Sequence, residues 1–202
     1  MKILFVEAQR NIDDIDINRI NFDILPSKIF LVYSIQYKKI AKKIEEKLKE
    51  RVVGMQQVLG CTQLKTKEPI LLIGSGKFHA LSLSLQNNTI YILEENKIKK
   101  IDEKEVEKLK NRRKTAMLKF LSADSVGILV SCKPGQENLS KALKLKENLE
   151  KKDKSCFIFV ADNINISELE NFNLECFVNT ACPALVFDAF DYPILNISDI
   201  EM

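Results

Sequence analysis

Only one of the 202 residues is a histidine, His79, and that scarcity bears first on catalysis. A Ser-His or Cys-His nucleophile system needs an imidazole oriented by an acidic neighbour, and "GKFHALSL" offers none. The five cysteines, Cys61, Cys132, Cys156, Cys176 and Cys182, contain no C-x-x-C pair, which excludes a zinc ribbon or ferredoxin-type loop encoded by one local segment. Their odd number argues against a closed disulfide framework and for thiols in a reducing compartment. Any metal site must be assembled from distant segments. No apolar run approaches the roughly 18 residues that span a bilayer, and "MKILFVEAQRNIDD" turns acidic too early for a signal peptide. A cytoplasmic protein without a membrane role is expected. Nor is there a block of one charge sign: 31 basic and 28 acidic residues are mixed along the chain, for a net charge of +3, so no nucleic-acid partner is expected. What is present, 46% hydrophobic and 29% charged residues, suits a soluble protein of one or two domains with real cores.

The order of segments points to an α/β fold. "KIFLVYSIQY" is a buried-strand pattern that runs into "KKIAKKIEEKLKE", where Ile40, Ile44 and Leu48 recur every fourth residue on one helix face. "RVVGMQQVLGCT" reads as a second strand closing on Gly60 and Cys61. "EPILLIGSGKFHALSLSL" reads as a strand, a glycine turn and a helix, and "NTIYILEE" as a further strand. The stretch "KIKKIDEKEVEKLKNRRKTAMLKFLSAD" reads as mostly helical, with Ile101, Val106, Leu109, Ala116, Leu118 and Leu121 as apolar positions and a helix around Lys104 to Leu121 joining the domains. A similar order begins again at "SVGILVSCKPGQENLSKALKLKENLEKKDKSCFIFVAD", whose helix carries Leu139, Leu143, Leu145 and Leu149. Both halves read strand, Ser, short connection, Gln, helix. Two similar small domains follow, each a parallel sheet of about four strands flanked by helices, with right-handed crossovers. The expected boundaries are 1–27 for a leader with one strand, "KILFVEA", 28–115 for the first α/β domain and 116–202 for the second.

Three features carry chemistry, each beside a plainer reading. Gly74 and Gly76 after a strand form a turn whose N–H groups suit an anion or nucleotide-like ligand, or simply a strand-to-helix turn. It is no Walker motif, because the residue five before Gly76 is Leu71, and no dinucleotide fingerprint, because His79 occupies the third glycine position. Cys156 and Cys176 lie inside apolar strands and read as core. Cys61, Cys132 and Cys182 each follow an apolar segment beside Gly, Pro or Thr, at strand or loop ends, and read equally as ligands or as ordinary loop cysteines. The Lys-rich helices, with Glu at helical spacing, are solvated faces.

Taken together, "SIQY", "QQVLGCT", "IGSGKFHAL", "KNRRKTAM", "VGILVSCKPGQ" and "FVNTACPALVFD", in this order, resemble the second and third domains of the archaeal diphthamide synthase family, aminocarboxypropyl-histidine synthases. The match runs from about Lys28 to Met202. The resemblance implies a 4Fe-4S cluster held by one cysteine from each of three domains. It implies reductive cleavage of S-adenosylmethionine and transfer of its aminocarboxypropyl group to a histidine of elongation factor two. By motif, Cys61 and Cys182 correspond to two of the ligands. Gly74, Ser75, Gly76 and His79, with Gly135, Gln136 and Asp188, would line the cofactor side. The resemblance also implies a shortened member without the first domain and its cysteine, and Ala184 stands where the family usually has arginine. Cys132 is then one source of a third thiolate. A partner chain is another, as a homodimer or as a heterodimer with a full-length relative. A non-catalytic scaffold or regulatory module that has lost the cluster is the alternative, and S-adenosylmethionine chemistry on another substrate a third.

Overall fold

The computed structural model describes residues 4, 6, 15–60, 62–74, 77–86, 88–187 and 192–200. Two units divide the chain, Met1–Glu107 and Lys108–Met202. The first is built on β1 (Ile29–Tyr33), β2 (Val52–Gln57), β3 (Ile70–Ile73), β4 (Ile90–Glu94) and β5 (Lys97–Lys100), in the order β2-β1-β3-β4-β5. β1 pairs in parallel with both β2 and β3, and β3 with β4. "ILLI" of β3 is buried along its whole length, as a parallel strand covered on both faces must be. Helix α1 (Lys38–Leu48) turns Ile40, Ala41, Ile44 and Leu48 onto one face of the sheet and its lysines to solvent. Helix α2 (Lys77–Ser84) covers the other with Ala80 and Leu83.

The helix expected around Lys104 to Leu121 is present, but the mostly helical stretch in which it was placed opens with a strand. Lys97–Lys100 is the antiparallel edge strand β5, turned back on β4 through Glu95, whose φ is 53°. Ile98 lies opposite Leu93 and packs on the core, while the flanking lysines stay on an edge that charge keeps from pairing further. Helix α3 (Glu103–Ser122) starts only after Asp102, whose carboxylate accepts the Lys104 N–H at 2.9 Å.

The second sheet contains β6 (Ser125–Ser131), β7 (Ser155–Ala161), β8 (Cys176–Asn179) and β9 (Ile194–Asn196), all parallel, in the order β7-β6-β8-β9. Helix α4 (Leu139–Glu150) is the crossover from β6 to β7, and the short α5 (Ile197–Ile200) follows β9. On α3, Ala116 and Phe120 are buried and Leu118 and Leu121 are exposed; on α4, Ala142 and Leu149 are buried and Leu139 and Leu143 exposed. The expected apolar faces were thus partly misplaced. Residues three or four apart share a face, and the small alanines set it where the helix lies close to the sheet. Among the described residues no helix is long and apolar enough to cross a membrane.

In each sheet the earliest strand has its chain successor on one side and the third strand on the other. This order places a crevice at the carboxyl ends of β1 and β3, and again at those of β6 and β8. The strand expected in "KILFVEA" lies outside the described residues except for Leu4 and Val6, which are exposed. Ile20, Phe22 and Leu25, by contrast, belong to the first unit's core. Their segment is tied down by one guanidinium: Arg51 Nη2 donates to the carbonyls of Phe22 (3.1 Å), Leu25 (2.8 Å) and Pro26 (3.2 Å). Arg51→Ala should cost about 1–3 kcal/mol by leaving those carbonyls short of a donor. The urea midpoint should fall, and limited proteolysis should cut faster within residues 15–27. A cleavage rate equal to that of the unaltered protein would exclude the clamp.

Candidate functional site

The second unit carries the better defined cleft. β6 ends at Ser131, which is buried, and its Oγ donates to the Asp162 carbonyl (3.3 Å) while accepting the Lys133 N–H (3.1 Å). The chain turns through Gly135 at φ 78°, a left-handed conformation that suits glycine, and the Gln136 N–H closes the turn on the Lys133 carbonyl at 3.0 Å. Asn138 Nδ2 donates to the Thr180 carbonyl at 2.8 Å, joining this loop to the one after β8.

At the end of β8, Thr180 gives both its N–H (3.0 Å) and its Oγ1 (2.8 Å) to the Leu129 carbonyl. Asn179 Oδ1 accepts the Ala181 N–H at 2.9 Å, an Asx turn that delivers the chain to Cys182 and the 3-10 turn Pro183–Phe187. The loops enclose a cleft of about 250 Å³. Its walls are Ser131, Lys133 and Gln136 after β6, Asp162 to Ile164 after β7, and Ala181, Cys182, Ala184 and Leu185 after β8. Cys182 is half-buried on that wall. Gly135 shapes the turn and Gln136 reaches the cleft.

The remaining thiols are placed differently. Cys132 is exposed; strand alternation sends Ser131 inward toward the cleft, and the cleft wall does not include Cys132. Cys156 and Cys176 are buried in the second core, and burial raises both thiols, that of Cys176 to about 12. Among the described residues no three His, Cys, Asp or Glu side chains gather as a metal cage.

In the first unit, Cys61, Ser75 and Gly76 lie outside the described residues, as does Asp188 in the second. The flanks of Cys61 are nonetheless well held. Gly60 lies so close to Phe78 that a Cβ there would stand 2.2 Å from the ring, and its carbonyl accepts Ser82 Oγ at 2.9 Å. Thr62 Oγ1 accepts the Leu59 N–H (2.8 Å), and the Thr62 carbonyl accepts Gln86 Nε2 (2.9 Å). Gly74 abuts Ser34 at the end of β1. His79 is half-buried edge-on to Phe78, and burial lowers its pKa, which favours the uncharged ring. Sequence reasoning passed over Asn179, Thr180, Ser82 and Gln86. The signal for Asn179 was available, since an Asn just before a turn that ends in Pro commonly makes an Asx bond.

An α/β chain with a cysteine on a switch-point cleft is the class these features define. Comparison with known proteins makes it particular: residues 1–202 match the family described as "Putative diphthamide synthesis protein", and the chain belongs to that family. It is 31% identical over 158 residues to the 2-(3-amino-3-carboxypropyl)histidine synthase of Pyrococcus horikoshii, covering 75% of this chain and 46% of that protein. With the enzyme of the same name from Methanocaldococcus jannaschii it shares 28% over 169 residues, 81% of this chain and 47% of the relative. A Nematostella vectensis relative, named as subunit 1 of the synthase, is 27% identical over 150 residues, 69% of this chain and 32% of its own. The crystal structure of Dph2 from Pyrococcus horikoshii superposes with a TM-score of 0.75 at 28% identity, over 88% of this chain and 57% of that one. The structure of that protein with a 4Fe-4S cluster gives the same TM-score at 27% identity and the same coverage. The chain thus spans about half the length of the curated relatives it matches.

The raised Cys176 thiol has a pH consequence. Its folded value of about 12 lies above the unfolded one, so its contribution to stability is complete below about pH 8.5 and is lost as the pH rises toward the folded value. The urea midpoint should therefore fall more steeply above about pH 9 in the unaltered protein than in Cys176→Ala. Equal slopes would show that burial of this thiol is not linked to stability.

Proposed function

We propose that this chain works in diphthamide synthesis, in the transfer of the aminocarboxypropyl group of S-adenosylmethionine to a histidine of elongation factor two. The observation that carries the reading is Cys182, half-buried on the cleft at the carboxyl end of β8, in a chain that matches the family over its whole length. Thiolates are soft ligands suited to iron-sulfur clusters, and ligands drawn from separate units need no local C-x-x-C spacing. Cys182 and Cys61 supply two ligands of a 4Fe-4S cluster, and a partner chain, a fuller relative or a second copy, supplies the remaining one. When bound, the cluster supplies the electron for cleavage of S-adenosylmethionine. The chain's own residues hold and shape: Gln136 and the Gly135 turn border the cleft beside Cys182. By the motifs the chain shares with the family, the cofactor falls to Gly74, Ser75, Gly76, His79 and Asp188. A neutral His79 accepts or donates a hydrogen bond without adding charge.

The test is anaerobic reconstitution with iron and sulfide, alone and with a full-length relative. A sulfur-to-iron charge-transfer band is expected in at least the mixed preparation. Iron content should collapse in both Cys61→Ala and Cys182→Ala. Absence of the band in both preparations would overturn the cluster assignment and favour a non-catalytic binding subunit. Transfer of labelled aminocarboxypropyl group to elongation factor two, lost in Cys182→Ala, tests the substrate.

A further inference from the structure

Asn179 ends β8 with 1% of its surface exposed, and its side-chain amide is spent on the loop that carries Cys182. Besides accepting the Ala181 N–H, it donates from Nδ2 to the Cys182 carbonyl and to Asn196 Oδ1, each at 2.8 Å. The orientation of the amide follows from its partners. A backbone N–H can only donate and a backbone carbonyl only accept, so Oδ1 must face Ala181 and Nδ2 must face Cys182. The Cys182 carbonyl also receives the Leu185 N–H at 3.1 Å, so the peptide just after the thiol is held by two donors.

Asn179 is itself braced. The Asn196 N–H donates to Asp199 Oδ2 at 3.0 Å, and Asp199 Oδ1 meets Arg113 Nη2 of α3 at 2.7 Å. The path from α3 through α5 and β9 to the cysteine loop is therefore continuous and lies wholly within the second unit. An apolar residue would fill the end of a buried strand with no polar group to satisfy; an amide there is tolerated because every bond it makes is satisfied.

We propose that Asn179 is a positioning residue for Cys182: it fixes the thiol on the cleft wall before any ligand arrives, with Asn196, Asp199 and Arg113 fixing Asn179 in turn. The proposal rests on the reading of Cys182 as the functional thiol. Aspartate at this position would keep the acceptor for Ala181 and lose the donor, setting an oxygen against the Cys182 carbonyl and Asn196 Oδ1.

The experiment compares alkylation of single cysteines in the metal-free full chain, using iodoacetamide and mass spectrometry of the labelled peptides. In Asn179→Asp, Cys182 should label about fivefold faster, the population change carried by one hydrogen bond, while Cys156 and Cys176 stay as protected as before. Asn196→Ala, which removes one of the two acceptors of Nδ2 and leaves the sequence of β8 unaltered, should move Cys182 in the same direction. An unchanged or slower Cys182 rate in both variants overturns the proposal. So does joint release of Cys156, Cys176 and Cys182 in both, since that would make Asn179 a residue of the fold alone. Reconstituted protein gives a second readout, an altered electron paramagnetic resonance line shape of the reduced cluster in Asn179→Asp. Failure of the unaltered chain to take up iron would count against the cluster assignment and would leave the alkylation comparison intact.

Discussion

Burial of parallel strands on both faces is the constraint from which the site follows. β1, β3 and β6 are covered on each side, so their interior residues are apolar and their backbone groups are consumed by neighbouring strands. Chemistry is thereby pushed to the strand ends. The buried polar side chains among the described residues bear this out: Ser131, Asn179 and Thr180 all stand at the carboxyl end of the second sheet, and Ser84 is satisfied locally by the Leu81 carbonyl. Three polar side chains in one place, each with a partner, mark where the fold departs from an apolar interior.

The two units share a plan but differ in what stands at their strand ends. Ser34 after β1 and Ser131 after β6 occupy equivalent places in their sheets, and each has its hydroxyl engaged in the turn. The cysteines break the symmetry. Cys61 follows the second strand of its unit, whereas Cys182 follows the third of its own; the place equivalent to the Cys182 loop in the first unit is the turn that begins at Gly74. Repetition therefore supplies two crevices from one topology, and the residues at the strand ends decide what each can do.

Strands were legible where burial on both faces leaves a continuous apolar run, as in "IFLVY", "ILLI" and "SVGILVS", and so were the core roles of Cys156 and Cys176. β5 was not, because "KIKK" buries a single side chain, and an edge strand of lysines looks like the start of a charged helix. The faces of α3 and α4 were misread for a related reason. Leucines attract attention, yet Ala116 and Ala142 are buried while Leu118 and Leu143 face solvent. At the site, Cys182 could be found from its place between an apolar run and Pro183, and Asn179 from its place before that turn, but the network that joins them to the rest of the unit could not. Asn179, Asn196, Asp199 and Arg113 are spread over much of the second unit and meet only through the order of β8 and β9.

That spread has a thermodynamic meaning. A thiol on an unrestrained loop must lose conformational freedom when it binds, and the loss subtracts from affinity. The turn at Asn179 incurs this cost during folding, where it is offset by satisfied hydrogen bonds in a buried setting. Every member of the network, from Arg113 to Asp199, lies within Lys108–Met202. A half-buried thiol held this way contrasts with Cys156 and Cys176, whose burial keeps them protonated and unreactive. It contrasts also with Cys132, exposed after β6 and away from the cleft. Of the thiols whose surroundings are described, Cys182 alone combines access with restraint.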